Sequence, residues 1–149
     1  MKISTKGQYG LEAIVDLALH VSEGPVSLKN IAERCGLSEA YILQIFLVLR
    51  RAGIISSVRG TQGGYILVKS PSDITVKDVL ETLEGPLVPV SCIVKGCKNP
   101  CSRFDLCVTR VLWEKIAANL GALSESITIM DLMNFYYEMN MKPHMDYSI

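Results

Sequence analysis

Four of the five cysteines in this chain lie in one short segment, SCIVKGCKNPCSRFDLC, which spans residues 91–107. Thiolates are soft, anionic ligands that suit iron–sulfur clusters, and four of them at such separations would also complete a tetrahedral zinc site. Their spacing differs from the ferredoxin motif, so it does not define a cluster type. The cysteines alone therefore leave three alternatives: an iron–sulfur cluster, zinc, or a metal-free thiol switch.

The remaining cysteine and the two histidines argue against an enzyme. Cys35 precedes Gly36 at the end of a predicted helix, where we expect it to be a small buried hydrophobic residue. The 91–107 segment has no Cys-x-x-Cys pair on a βαβ pattern, and His20 and His144 are both far from it in the sequence. Binding is therefore a better supported use of the crowded thiols than redox catalysis.

The composition indicates a folded protein that keeps its thiols reduced. The chain has 149 residues, of which 49% are hydrophobic and 20% charged, so it can bury a core without disulfide bonds. Its first residues, MKISTKGQYG, lack the apolar core of a signal peptide, and no apolar run is long enough to span a bilayer. We expect a cytoplasmic location, where crowded thiols favour metal binding or redox chemistry over a disulfide framework.

The net charge of zero conceals a mild asymmetry. Residues 1–68 contain seven lysines and arginines and five acidic residues, whereas the remainder contains eight and ten. This excess permits phosphate binding by the first half of the chain but does not demonstrate it. A nucleic-acid hypothesis therefore depends on motif geometry.

The first half of the chain predicts three helices, each with a serine before its first turn. They cover residues 5–23, residues 28–35 (LKNIAERC) and residues 39–52 (EAYILQIFLVLRRA). Gly36 permits the left-handed turn that closes the second helix. Two helices joined by a short glycine-bearing turn form the helix-turn-helix pattern, whose second helix enters the major groove of DNA.

A predicted β-hairpin follows the third helix. Residues 54–58 and 65–68 have strand character, and the sequence between them, RGTQGG, provides a glycine-rich tip. Arg59 has the charge and length to enter a narrow minor groove, and the glycines allow close approach to a sugar-phosphate surface. Helices and hairpin together predict a winged helix-turn-helix, with an ordinary α+β packing unit as the alternative.

Residues of the third helix that the core does not need are candidates for DNA contact. Gln44 can pair with adenine, whereas serine and tyrosine commonly contact phosphate. Partial burial is an equal alternative for Tyr41, and Arg50 and Arg51 could instead form a solvated helix end. The predicted DNA-binding residues are Ser38, Glu39, Tyr41, Gln44, Arg50, Arg51, Arg59, Gly60, Gly63 and Gly64.

The second half of the chain predicts three more helices. The first, residues 75–84, is expected to support the wing, and the last runs from about residue 128 to residue 139. The long helix between them, from about residue 105 to residue 123, has more apolar surface than a small winged domain can cover. Its apolar side comprises Val108, Val111, Leu112, Ile116, Leu120 and Leu123.

We expect this long helix to pair with the same helix of a second subunit, with burial inside one chain as the alternative. Such a homodimer would present two recognition helices to a palindromic site on double-stranded DNA. The predicted fold class is mainly α with a small β-hairpin. It comprises a winged helix-turn-helix DNA-binding domain (1–85), a cysteine-rich loop (86–107) and a dimerisation helix with a C-terminal segment (108–149).

Several stretches of the sequence carry a family resemblance. MKISTKGQYGLEAIVDLA, SLKNIAERCGLSEAYILQIFLVLRRAGIISSVRG, GGYIL and CVTRVLWEKI resemble the Rrf-type winged-helix transcriptional regulators, over nearly the whole chain. That family includes iron–sulfur regulators of the IscR type, nitric-oxide sensors of the NsrR type and cluster-free regulators of the CymR type. The cysteines make this chain most similar to the IscR type, with similarity to CymR.

The resemblance implies a homodimer with the third helix and the wing on DNA, and an iron–sulfur cluster in the loop before the dimerisation helix. A [2Fe–2S] cluster is favoured over [4Fe–4S], with zinc as the alternative. Cys107 takes the place of the family's last cluster cysteine and Cys101 that of the middle one. Cys92 matches the first, with Cys97 as its competitor because the loop here is longer and holds an additional thiol.

The resemblance leaves the fourth ligand open. Arg110 stands where enteric IscR proteins have a histidine, and an arginine has no lone pair to donate to a metal. Gln8 stands where NsrR-like proteins place an acid. The candidates for the fourth ligand are Cys97, Glu12, Asp105 and an exogenous group.

The implied function is to sense cluster supply. A cluster sensitive to oxygen and nitric oxide would fold the 91–107 loop and orient the dimerisation helix. The protein would thereby control genes for iron–sulfur cluster biogenesis, as a repressor for example. The alternative is a metal-free, CymR-like regulator of cysteine metabolism that acts through a partner enzyme of cysteine synthesis or through thiol oxidation. Leu43 stands where enteric IscR has an acid that helps to discriminate sites, so that protein's operator preference is not expected here.

Overall fold

The computed structural model describes residues 1–98 and 101–141, which form a mainly helical chain with one antiparallel β-hairpin. The helices are α1 Thr5–His20, α2 Leu28–Cys35, α3 Glu39–Arg51, α4 Val76–Glu84, α5 Val108–Ser126 and α6 Ile129–Met141, and the strands are β1 Ile55–Val58 and β2 Gly64–Leu67. Among the described helices, none combines the length and the hydropathy that a membrane span requires.

The helix-turn-helix forms from local signals. The hydroxyl of Ser27 accepts a hydrogen bond from the N–H of Asn30 at the start of α2, and Ser38 caps α3 in the same way. Gly36 closes α2 in the left-handed conformation, at φ +66°. The N–H of Leu37 then donates to the carbonyl of Ala32 over 2.9 Å, which satisfies a helix-end acceptor. The predicted winged helix-turn-helix is therefore confirmed.

A single hydrophobic core holds these elements together. Each of the helices α1 to α4 contributes to it, with Ile55 from the hairpin and Ile129 from α6. Phe46 of α3 is fully buried, and its ring meets the ring of Tyr65 edge to face at 5.0 Å between centroids. This aromatic contact joins the recognition helix to the strand that returns from the wing.

Helix α4 does not support the wing as predicted. It packs against α1, α3 and α5 instead. On α1, Gly10 allows α4 to pack close, because a Cβ there would overlap the side chain of Leu83. The wing is held by the chain before α2: Val26 and Tyr65 exchange backbone hydrogen bonds of 3.0 and 2.8 Å. A Cβ at Gly64 would overlap the Val26 carbonyl, so this contact needs glycine.

Several helix boundaries differ from the prediction. Helix α1 ends at His20, and a 3-10 turn, Val21–Glu23, carries the chain to Gly24. Helix α5 begins at Val108 instead of near residue 105, because Phe104–Leu106 form a separate 3-10 turn. Helix α6 continues to Met141. Residues 142–149, which include His144, lie outside the described residues.

Candidate nucleic-acid interface and cysteine segment

Helix α3 divides into a core face and an outer face. Its buried side chains, Ile42, Ile45, Phe46 and Leu49, all point into the core. The exposed positions between them are Glu39, Ala40, Leu43, Gln44, Leu47, Arg50 and Arg51. Because α3 is the second helix of the helix-turn-helix, this outer face is the one that can enter a major groove.

Several predicted DNA-contacting side chains of α3 already have partners within the protein. The Ser38 hydroxyl caps the helix by accepting from the N–H of Tyr41 over 3.2 Å. Tyr41 is half-buried, and its ring packs edge to face on Tyr9 with 6.2 Å between centroids. Arg50 donates from Nη1 to the Ser57 hydroxyl over 3.3 Å, which links α3 to β1. For Tyr41, the structure thus shows partial burial, which was the alternative to phosphate contact.

The wing presents one cation at its tip. Strands β1 and β2 pair antiparallel with Ile55 opposite Leu67 and Val58 opposite Gly64. Arg59 is exposed directly after β1. The N–H of Gly63 donates to the carbonyl of Gly60 over 3.0 Å, which closes the tip, and a Cβ at Gly63 would overlap the Val58 carbonyl. Gly63 is therefore required by the hairpin itself, and DNA contact by the glycines remains a prediction.

An ion pair fixes the two helices before the recognition helix. Arg34 of α2 donates from Nε and Nη2 to the two carboxylate oxygens of Asp16 on α1, over 2.8 and 2.9 Å. Such bidentate pairs define orientation as well as distance. The sequence does not reveal this pair, because no local pattern connects residues so far apart in the chain.

The four thiols of the cysteine segment lie in different environments. Cys92 is half-buried in a 3-10 turn, Ser91–Ile93, that packs on α5, whereas Cys97 is exposed. Cys101 and Cys107 line one open cavity of about 390 Å³. Within residues 1–98 and 101–141, no three His, Cys, Asp or Glu side chains converge on a point where a metal ion could bind.

Hydrogen bonds around Cys107 favour the thiolate form of its side chain. Cys107 is the residue immediately before α5, and its sulfur lies 3.3 Å from the Thr109 hydroxyl oxygen. The Thr109 hydroxyl and the backbone N–H of Arg110 lower the pKa of the Cys107 thiol. The donor set therefore fits a thiolate-ligated cluster by its chemistry, and in the described conformation Cys101 and Cys107 line the same cavity.

The other candidate ligands are dispersed. Asp105 is exposed in the turn before Cys107, while Glu12 lines a cavity between α1, α2 and α6 that also contains Cys35. The Arg110 guanidinium lies over the Phe104 ring, 4.3 Å from its centroid, and thus supports the turn instead of offering a ligand.

The fifth cysteine lies apart from the cysteine segment. Cys35 is half-buried at the end of α2 and packs against the hydrophobic core. Burial raises the pKa of its thiol to about 11, and the charges of Asp16 and Glu12 add to the effect. It is less buried than the sequence predicts, but its thiol is protonated at neutral pH.

Helix α5 leaves its apolar side uncovered. Val108 is 86% exposed, and Val111, Leu112 and Leu123 are each at least half exposed. Ile116 and Leu120 are half-buried, and Ser124 is the buried residue of this helix. Four of the six residues on the side of α5 predicted to form a dimer are therefore exposed in the single chain.

Comparison with known proteins identifies the family. Residues 3–135 match the protein family described as "Rrf2: Iron-dependent Transcriptional regulator". The protein rrf2 of Nitratidesulfovibrio vulgaris is 41% identical over 134 residues, 89% of this chain and 87% of that protein.

Two solved structures are similar along nearly their whole length. IscR of T. potens is 46% identical, covers 96% of this chain and 93% of its own, and superposes with a TM-score of 0.77. CymR of B. subtilis, named the global cysteine regulator, is 41% identical, with coverage of 91% and 98% and a TM-score of 0.74. The chain therefore belongs to the Rrf2 family and is a transcriptional regulator, not an enzyme.

Proposed function

We propose that this protein binds palindromic DNA as a homodimer and that an iron–sulfur cluster held by its cysteine segment controls the binding. In this proposal residues 1–85 bind DNA, residues 86–107 hold the cluster and residues 108–149 contain the dimerisation helix. The observation that carries the proposal is the position of Cys107, which directly precedes α5 and lines the same cavity as Cys101.

Helix α3 and the wing are proposed to contact DNA in different ways. Gln44 and Arg51 lie on the exposed face of α3 and are suited to base edges and phosphate. Arg59 extends from the wing tip, where it can reach the neighbouring minor groove. The ion pair between Arg34 and Asp16 keeps α1 and α2 in a fixed arrangement behind the recognition helix.

Replacement of Arg59 tests the wing assignment. Arg59→Ala should lower affinity for a palindromic duplex recovered by selection from a randomised pool by about 1–3 kcal/mol. Lys95→Ala is the control, because it removes a positive charge from an exposed position outside both the predicted DNA-contacting residues and the dimerisation helix. Unchanged affinity of Arg59→Ala in fluorescence anisotropy titrations would contradict the wing assignment.

The cysteine segment is proposed to link cluster binding to the dimerisation helix. When bound, the cluster supplies a cross-link between thiols that oxygen and nitric oxide can attack. The chain contributes the Cys107 thiol, whose pKa is lowered by the Thr109 hydroxyl and the Arg110 N–H, and the next residue is the first of α5. A constraint at this sulfur therefore acts on the first turn of α5. Resemblance to the IscR type supports genes of cluster biogenesis as the targets.

Metal analysis of protein purified without oxygen tests the cluster. We expect a coloured protein with equal iron and acid-labile sulfide, and loss of both in Cys101→Ser and Cys107→Ser. Serine at Cys92 and at Cys97 distinguishes which of these two is a ligand, and Cys35→Ser should keep full iron as the control. Colourless, iron-free protein after reconstitution with iron and sulfide would exclude the cluster, and stoichiometric zinc would support the zinc alternative.

A metal-free regulator of cysteine metabolism is the second candidate. Three observations favour it: the relative named CymR is similar at 41% identity, the described thiols do not converge, and Cys97 and Cys101 are open to oxidants. Under this candidate, peroxide or a purified enzyme of cysteine synthesis should change DNA affinity of protein stripped of metal. Absence of both effects would rule it out.

A further inference from the structure

The outer face of α3 carries an apolar row that the core does not use. Ala40, Leu43 and Leu47 are spaced three and four residues apart, so their side chains lie in one line along the helix. Leu43 is 39% exposed and Leu47 is 37% exposed. The opposite side of α3 supplies the core, so these two leucines are not needed to hold the helix in place.

The residues around this apolar row indicate a partner that carries many negative charges and also exposes a few apolar groups. Gln44 and Arg51 lie beside it on α3, and Arg59 lies on the adjacent wing. Glu39, one turn before Leu43, is the exposed acid on this face. With hydrogen-bonding and cationic side chains on their other sides, the two leucines match a surface whose rims are charged and whose floor has apolar groups. The major groove has such a floor, because thymine presents its C5-methyl group there between phosphate-lined edges.

We propose that Leu43 and Leu47 read thymine methyl groups in the major groove, so that this regulator selects A·T pairs at the positions these side chains reach. A leucine has no hydrogen-bonding group, so contact with a methyl is the base discrimination available to it. Gln44 lies next to Leu43 and can pair with adenine, which favours the same base pairs. The inference rests on the proposed DNA binding through α3.

Uracil substitution isolates the methyl group. The DNA sequence bound by the full-length protein is first selected from a pool of randomised duplexes, and each thymine of the half-site is then replaced by uracil. Wild-type protein should lose affinity about three- to fivefold at one or two thymines, as expected for one buried methyl. Leu43→Ala and Leu47→Ala should each abolish the uracil effect at one of these positions, whereas Gln44→Ala should retain it.

A second substitution tests the same group on another base. Where wild-type protein is sensitive to uracil, cytosine should bind more weakly than 5-methylcytosine, because only the latter has the C5-methyl. Circular dichroism of the leucine variants verifies that they fold, as exposed positions predict.

The outcomes separate this inference from the proposed function. If selection enriches no sequence, DNA binding itself is contradicted. If a sequence is enriched but uracil has no effect at any thymine, methyl reading is wrong while DNA binding stands. If the uracil effects persist in Leu43→Ala and in Leu47→Ala, other residues read the methyl groups and the inference is likewise overturned.

Discussion

At the scale of single residues, the cysteines differ in reactivity because their surroundings differ. Cys35 packs against the core, and burial together with Asp16 and Glu12 raises its pKa to about 11. Cys97 and Cys101 are exposed. Since the thiolate is the reactive form, Cys35 is the least available of the five thiols to electrophiles at neutral pH.

In metal-free protein, alkylation should therefore be slowest at Cys35. With iodoacetamide at pH 8, Cys35 should react about a hundredfold more slowly than a cysteine in a short peptide, and its rate should rise towards pH 11. Mass spectrometry of the labelled peptides measures each rate. In denaturant all five cysteines should react alike, and folded-state labelling of Cys35 as fast as Cys97 would contradict its assigned environment.

Asp131 is expected to make the start of α6 sensitive to pH. The N–H and the hydroxyl of Thr128 donate to Oδ2 of Asp131 over 2.8 and 2.9 Å, and these bonds lower the pKa of the carboxyl group. The contribution of this carboxylate to the free energy of unfolding is therefore fully present at pH values above the unfolded-state pKa of about 3.9. This contribution is lost as the pH falls through the lower folded-state pKa.

Asp131→Asn should accordingly be less stable than wild type at pH 7 and equal to it at strongly acidic pH. Thermal unfolding followed by circular dichroism measures the difference. Glu138→Gln, which neutralises an exposed acid on the same helix, is the control and should match wild type at pH 7. A deficit of Asp131→Asn that persists in acid would show that charge is not its cause.

At the scale of elements, the contact of α1 with α4 depends on a missing side chain. A Cβ at Gly10 would overlap Leu83 and approach Ile45 to 3.2 Å, and both side chains are buried. Gly10→Ala should therefore cost about 1–3 kcal/mol from overpacking, reduced by up to about 1 kcal/mol of helix propensity. Gly121→Ala is the matched control, because no described atom lies within 4 Å of its Cβ. In urea titrations the control should be neutral or stabilising, and equal effects would contradict the packing argument.

Elements defined by local signals were predictable from the sequence. Ser27 and Ser38 cap the helices that follow them, and Gly36 ends the helix before it. Each signal involves only residues within about one helical turn, so the helix-turn-helix can be predicted from short stretches of sequence. The start of α5 was not, because Phe104 and Leu106 continue an apolar pattern although they form a separate turn. The partners of α4 depend on residues distant in the chain and were predicted wrongly.

The candidate site was predictable in its parts but not in its geometry. The cysteines and the wing arginine are visible in the sequence, and so is the outer face of α3 once its core positions are marked. The 91–107 segment has no hydrophobic period, so nothing in the sequence indicates that Cys101 and Cys107 share a cavity or that Cys92 packs on α5. The burial of Tyr41 likewise depends on Tyr9, which belongs to another helix.

At the scale of the whole molecule, the uncovered side of α5 is the feature that a single chain leaves unexplained. Val108, Val111, Leu112 and Leu123 form an apolar surface that water would otherwise have to solvate. Phe135, Met139 and Met141 add exposed apolar area on α6. A two-fold pairing of α5 with its copy would cover this surface and would set the separation of the two recognition helices.

A charge on this surface should separate the subunits. Leu112 is 50% exposed, and Leu112→Glu would place a carboxylate in the proposed interface without disturbing the core of one chain. Sedimentation velocity should show a dimer for wild type and a monomer for the variant, while Ser72→Glu, in the exposed turn Pro71–Asp73, should remain dimeric. Because each subunit is proposed to read one half-site, the variant should lose affinity for the full palindrome and keep wild-type affinity for an isolated half-site. A dimeric Leu112→Glu protein with normal palindrome binding would place the interface elsewhere on the chain.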